Sequence, residues 1–252
     1  MIFSRKEHLS MYQERLNLFK ANLGYEGWLS HYLKNEPHSL YNMGHVLNFI
    51  KKLHSDCKVL SIGIDPIKET ILIRESKFSQ IDVYDIDAEA VKVGNKYWKN
   101  SDLNIQYYCK NLLQEEADVN YEIALLFQMD YIFSDGELSL ILKRLKQSGI
   151  SDCYLITPSL FNINLNLTTR PDIIIYDMLH IFLYLLNSLK LKIKRKTSLK
   201  LEQSSLIITY KRTKNHLIKL FTKQKFTMVS QKSYLNNNGS FNLFHFKLET
   251  TE

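Results

Sequence analysis

One segment constrains the fold more than any other: Val59 to Asp85, reading VLSIGIDPIKETILIRESKFSQIDVYD. An apolar run, Val59-Leu60-Ser61-Ile62, stops at Gly63 and a proline-containing loop, Ile64-Asp65-Pro66. A helix-like stretch follows, and a second apolar run, Ile81-Asp82-Val83-Tyr84, ends in the acid Asp85. Strand, glycine turn, helix, strand and carboxylate is the layout of a βαβ unit that binds nucleotides. Glycine lets the backbone come close to a ligand, and an acid about 20 residues further on can accept hydrogen bonds from ribose hydroxyls. Of the G-x-G-x-x-G fingerprint only the first glycine is present.

Alternation of strands and helices continues beyond this unit. The spacing predicts strands at 58–63, 81–85, Asn104 to Cys109, Glu122 to Phe127 and Cys153 to Thr157. Helices are expected at about 67–77, at 88–99 behind an Asp87 N-cap, and at 135–147 with Ser134 or Asp135 as cap. The fourth strand is almost wholly apolar, as a parallel strand covered on both faces must be. A helix over Asn215 to Phe226 and two strands, Thr227 to Tyr234 and Phe241 to Leu248, complete the series around the polar turn NNNGS. Strands joined so closely after a parallel set read as an antiparallel edge hairpin.

Two regions stand outside this core. Residues 1–54 read as a helical cap, from stripes such as Leu9, Tyr12, Leu16, Phe19 and Leu23. Residues of about 159–212 read as an insertion, with a helix at 172–189 and a basic hairpin at 190–212. The apolar stretch Ile173 to Leu186 is 14 residues long and contains Asp177 and His180. That is short of the roughly 20 residues needed to cross a bilayer.

Charge is unevenly placed: residues 1–189 carry a net −4 and residues 190–252 a net +11. The basic region at 190–232, with Lys190, Lys192, Lys194, Arg195, Lys196, Lys211 and Arg212, suits an anionic partner, nucleic acid or a membrane surface. A solvated face in a lysine-rich chain has the same composition. Cys57, Cys109 and Cys153 form no C-x-x-C pair, and each lies in or beside an apolar run. They read as reduced core thiols of a cytoplasmic protein. The first residues, MIFSRKEHLSMYQER, place charges where a signal peptide needs an apolar core.

Over roughly residues 55–248 this pattern resembles the class I S-adenosylmethionine-dependent methyltransferases. The resemblance implies a Rossmann-like α/β fold, a doubly wound sheet with an antiparallel C-terminal hairpin and an N-terminal helical extension. It implies S-adenosyl-L-methionine as cofactor and a small-molecule or glycan-type acceptor. Where that family ends its first strand in an acid, this chain has Ser61, and the later glycines of the loop are absent. Gly63, Ile64 and Asp65 would then form the cofactor loop, Asp85 would hold the ribose, and Ile86 would pack on the adenine. Asn111 would accept from the adenine amino group, or serve as a plain turn residue.

The segment YEIALLFQMDYIFSDGELSLILKRLKQSG resembles the family's fourth strand, the loop after it and the next helix. This sets Gln128, Met129, Asp130 and Tyr131 beside the reactive sulfonium. Asp130 then reads as a general base or, equally, as a capping or ion-pairing residue. Tyr41 and His45, in the approach to the first strand, are the acceptor-side candidates. Two other readings stay open. Gly63-x-x-Pro66-x-x-x-Thr70 resembles the loop of nicotianamine-synthase-like enzymes, which implies aminocarboxypropyl transfer from the same cofactor. The sparse glycine loop also suits a non-catalytic, methyltransferase-like binding subunit that uses its basic C-terminal third.

Overall fold

A single seven-stranded sheet organises the computed structural model, which describes residues 56–64, 78–99, 104–118, 120–127, 129–158, 212–236 and 239–249. The strands are β1 (Lys58–Ile62), β2 (Gln80–Asp85), β3 (Ile105–Cys109), β4 (Ile123–Phe127), β5 (Asp152–Pro158), β6 (Phe226–Asn236) and β7 (Gly239–Leu248). The described helices are α1 (Ala88–Trp98), α2 (Asp135–Gln147) and α3 (Lys214–Lys223), with a single 3-10 turn at Asp130–Ile132. Strand order is β3-β2-β1-β4-β5-β7-β6. The first five strands run parallel, β7 enters antiparallel between β5 and β6, and β6 pairs with β7 from Phe226↔Leu248 to Asn236↔Gly239.

Side-chain alternation explains why these segments are strands. On β1 and β4, Val59, Ile123, Leu125 and Phe127 join one core cluster, while Leu60, Ile62, Ala124 and Leu126 join the cluster on the opposite face. The first cluster lies under α1 through Val91 and Tyr107. The second takes Leu138, Ile141, Leu142 and Leu145 of α2 with Leu217 and Phe221 of α3. Helices on both faces bury both sides of the central strands, so those strands read as continuous apolar runs.

Local chemistry sets the helix ends. Asp87 caps α1, its Oδ1 accepting from Glu89 N at 2.9 Å and Ala90 N at 3.1 Å. Ser134, and not Asp135, caps α2 in a reciprocal capping box with Glu137. The last helix starts one residue before the expected Asn215 and ends at Lys223, because Phe226 already belongs to β6.

Two expectations are corrected. Cys109 is exposed and Cys57 only half-buried, so of the three thiols Cys153 alone is core. Cys109 stands at the carboxyl end of an outer strand, where an apolar run on one side does not imply cover on the other. Arg212, grouped above with the basic surface, is buried. The helical cap 1–54, the helix expected at 67–77 and the insertion up to Lys211 fall outside the described residues. Among the described residues no helix is long and apolar enough to cross a membrane.

Candidate functional site

Strand order reverses between β1 and β4, and the crevice beyond the carboxyl ends of these two strands is where open α/β sheets hold ligands. Gly63 lies directly after β1. Its N–H donates to Tyr84 O at 2.8 Å, which carries the pairing with β2 one step past the strand. Its φ of +78° is one that a residue with a side chain rarely adopts. A Cβ here would stand 2.6 Å from Met129 Sδ, so the thioether from the loop after β4 rests directly on the glycine.

Asp85, at the end of β2, ties two loops together. Its Oδ2 accepts from Ile64 N at 2.8 Å, and its Oδ1 accepts from Asp87 N at 2.9 Å. A carboxylate oxygen has room for a second donor, so the group is fixed in place with capacity left for a ligand hydroxyl. Desolvation pushes the Asp85 carboxyl above the usual carboxylate value, although the N–H groups of Ile64 and Asp87 pull the other way. An ionisable group held against its solvation preference beside a sheet switch point is a common mark of a binding site. Beside it, Ile86 is 73% exposed, an apolar side chain open at the surface.

Other site residues are placed less simply. Asn111 N–H lies 3.4 Å from Glu115 Oε1, while its Oδ1 accepts from Leu113 N at 2.9 Å; it closes a turn. Asp130 is fully buried, and its Oδ2 accepts the Thr157 hydroxyl at 2.8 Å from the end of β5. Tyr131 lies in the 3-10 turn, its side chain outside the described atoms. Asp65, Gln128, Tyr41 and His45 fall outside the described residues. Gly63, Ile64, Asp85, Ile86 and the Met129–Asp130 segment therefore lie together at the carboxyl ends of β1, β2 and β4.

Two further residues bear on these strand ends. Ser61 Oγ is buried and has no hydrogen-bond partner among the described residues, at the position where a family acid was expected. Arg212 holds the loop after β4, as described below; a buried arginine inside a basic run carries no sequence signal that separates it from surface lysines. The orphaned Ser61 hydroxyl and the spare acceptor capacity of Asp85 suit an adenosyl cofactor with polar groups at both ends. No cluster of metal-ligating side chains occurs among the described residues.

Strand order and the inserted antiparallel β7 are those of the class I methyltransferase fold. The chain is similar to magnesium protoporphyrin IX methyltransferase from Synechocystis, solved with bound SAH, with a TM-score of 0.55 at 10% identity over 84% of each chain. It is similar to the N-methyltransferase NodS from Bradyrhizobium japonicum, with a TM-score of 0.54 at 10% identity over 86% of this chain and 99% of that one. The pyocyanin biosynthetic protein PhzM matches with a TM-score of 0.57 at 11% identity, over 87% of this chain and 61% of its own. No protein-family profile and no curated protein sequence matches the chain.

Proposed function

We propose that this chain is an S-adenosylmethionine-dependent methyltransferase that transfers a methyl group to a hydroxyl or amine of a small-molecule or glycan-type acceptor. The observation that carries the proposal is Asp85, held by Ile64 N and Asp87 N at the switch point with an exposed apolar residue beside it. Asp85 takes the ribose hydroxyls, Ile86 covers the adenine, and the turn at Gly63, with Met129 packed on it, borders the amino-acid end. The cofactor, when bound, supplies an activated methyl group on sulfur. The protein's part is alignment of acceptor and methyl donor, which can contribute several orders of magnitude without a covalent intermediate. Met129, Asp130 and Tyr131 border the reacting end in this reading, with Asp130 or the acceptor's own surroundings receiving the proton. Fold relatives include the N-methyltransferase NodS and a mitomycin 7-O-methyltransferase, which supports both acceptor types.

Calorimetric titration with S-adenosylhomocysteine tests this. Wild type should bind at micromolar concentration, and Asp85→Ala should weaken binding by about 1–3 kcal/mol, the range for a lost charge-assisted hydrogen bond. Absence of binding to wild type refutes the reading. Release of methylthioadenosine during turnover, in place of S-adenosylhomocysteine, would move the assignment to aminocarboxypropyl transfer.

A second reading has its own observation. Lys214, Lys219, Lys223 and Lys225 are exposed, none has a carboxylate partner among the described residues, and no Asp or Glu occurs between Glu202 and Glu249. Large exposed apolar side chains among the described residues are confined to Ile86 and Val229. Exposed cations without exposed apolar neighbours suit a nucleic-acid backbone better than a lipid surface, which rewards inserted apolar groups. Binding of a mixed-sequence RNA that weakens steeply with salt, and that Lys→Gln changes at 214, 219 and 223 diminish, is the expected result. Preference for anionic vesicles over RNA would overturn this reading.

A further inference from the structure

Among the described residues, the loop after β4 holds itself together poorly. Its local backbone bonds are long: Ile132 N to Met129 O is 3.2 Å, and Phe133 N to Asp130 O is 3.4 Å. Yet this loop forms one wall of the switch-point crevice, and it places the Met129 thioether on Gly63. Rigidity has to come from elsewhere.

It comes from Arg212, whose side chain is only 3% exposed. The guanidinium donates through Nη1 to Asp130 O at 2.6 Å and through Nη2 to Phe133 O at 2.6 Å. Its Nε donates to Asp135 Oδ1 at 2.8 Å, and the other oxygen of that carboxylate lies 2.8 Å from His216 Nε2. One planar fork thus spans residues 130 to 135, from the start of the 3-10 turn to the first residue of α2. Thr157 grips the same turn from β5 through the Asp130 carboxylate. Burying a guanidinium is costly unless its donors find acceptors, so the fork is not a neutral filler. Lysine has no planar fork and cannot reproduce it.

We propose that Arg212 is the positioning residue of the cofactor crevice: it fixes the loop after β4, and with it Met129 above Gly63, in the geometry that receives the cofactor. This rests on the methyltransferase reading above and assigns to it a residue outside the expected motif. Arg212 directly precedes Thr213, the cap of α3.

The test measures S-adenosylhomocysteine affinity by calorimetry on wild type, Arg212→Ala, Arg212→Lys and Leu145→Ala, well below each melting temperature. Leu145 lies in the α2 core away from the crevice and controls for simple loss of stability. Arg212→Ala should weaken affinity tenfold or more, Arg212→Lys should recover only part of it, and Leu145→Ala should leave it unchanged at a comparable melting temperature. Millimolar guanidinium should restore affinity to Arg212→Ala by filling the vacated site. If Arg212→Ala does not fold, Arg212→Lys alone decides, since full wild-type affinity in it overturns the proposal. Unchanged affinity in both variants, or an equal loss in Leu145→Ala, overturns it while the methyltransferase reading stands. Wild type that binds no S-adenosylhomocysteine removes both together.

Discussion

Asp85 sits where its charge is least comfortable, and its protonation should govern the crevice. Burial raises its carboxyl above the usual value while the backbone N–H groups of Ile64, Asp87 and Ile86 stabilise the ionised form. Sign follows directly: the ionised group costs folding stability, so that cost is absent at low pH and grows as pH rises through the raised pKa. Ligand hydroxyls donate to the carboxylate and favour the ionised form. Affinity for S-adenosylhomocysteine should therefore fall as pH drops through the Asp85 pKa, and Asp85→Asn should flatten that dependence. Calorimetry across pH 4–7 reads both curves, and a parallel decline in the variant would assign the effect to another group. Gly63 shows how far sequence reading reaches at this scale. Its place after an apolar run marks a turn, but the Met129 contact joins residues 66 positions apart in sequence and leaves no local signal. Arg212 was misplaced for a related reason: a run of basic residues does not tell which one turns inward.

Elements were more legible than residues, because apolar periodicity and caps act within a few positions. The five parallel strands come close to their expected bounds, and α2 matches 135–147. Strand β5 is longer at its start than the apolar run implied, because buried Asp152 meets His245 of β7 at 2.6 Å and the polar pair replaces apolar contact. Hydrogen bonding across 93 positions cannot be read from either neighbourhood. The junction of α1 with β3 yields a prediction of sign. Gly94 in α1 faces the Tyr107 ring, and a Cβ there would stand 2.9 Å from three ring atoms. That ring is held at its hydroxyl by Trp98 Nε1 at 2.9 Å, and the backbone of Tyr107 is bonded on both sides by the Asn95 amide. Alanine would gain about 1 kcal/mol of helix propensity, but the ring has no free direction in which to yield, and overpacking costs typically 1–3 kcal/mol. Gly94→Ala should lower the melting temperature. A rise would mean that α1 shifts as a unit.

At the scale of the whole molecule, one ion cluster joins the two halves of the chain. Asp135 begins α2, while Arg212 and His216 flank the start of α3, so the cluster closes a loop that spans the whole 159–211 segment. Burial pushes the Asp135 carboxyl up, but Arg212 and His216 outweigh it and hold the group below the usual value. A depressed folded value gives stability that is present above the ordinary carboxylate pKa, near 4, and is lost as pH falls through the folded value. Asp135→Asn should therefore melt below wild type at pH 7, and the gap should close on acidification below about pH 4. Thermal melts of both proteins across pH 2–7 measure it, and a gap that persists at pH 2 would contradict the assignment. The alternation of strands and helices and the closing hairpin were legible in the sequence, and the doubly wound sheet followed from the family resemblance; the strand order was not legible, because pairing between strands joins distant segments. The hydrogen bonds from Arg212 to the loop after β4 were not legible, because they join residues about 80 positions apart.

Cys109 gives the chain a built-in reporter. Its thiol is exposed, stands 3.8 Å from Ile86 O, and lies across from Asp85 in the register of β2 and β3. Cys153 is buried and Cys57 half-buried, so Cys109 is the thiol most open to an alkylating reagent. Alkylation by a maleimide, followed by mass spectrometry without any engineered label, should slow several-fold when S-adenosylhomocysteine is present. An unaltered rate would place the ligand away from Ile86. The unmodified chain thus carries its own occupancy sensor, readable in crude mixtures where an acceptor can be sought before it has been identified.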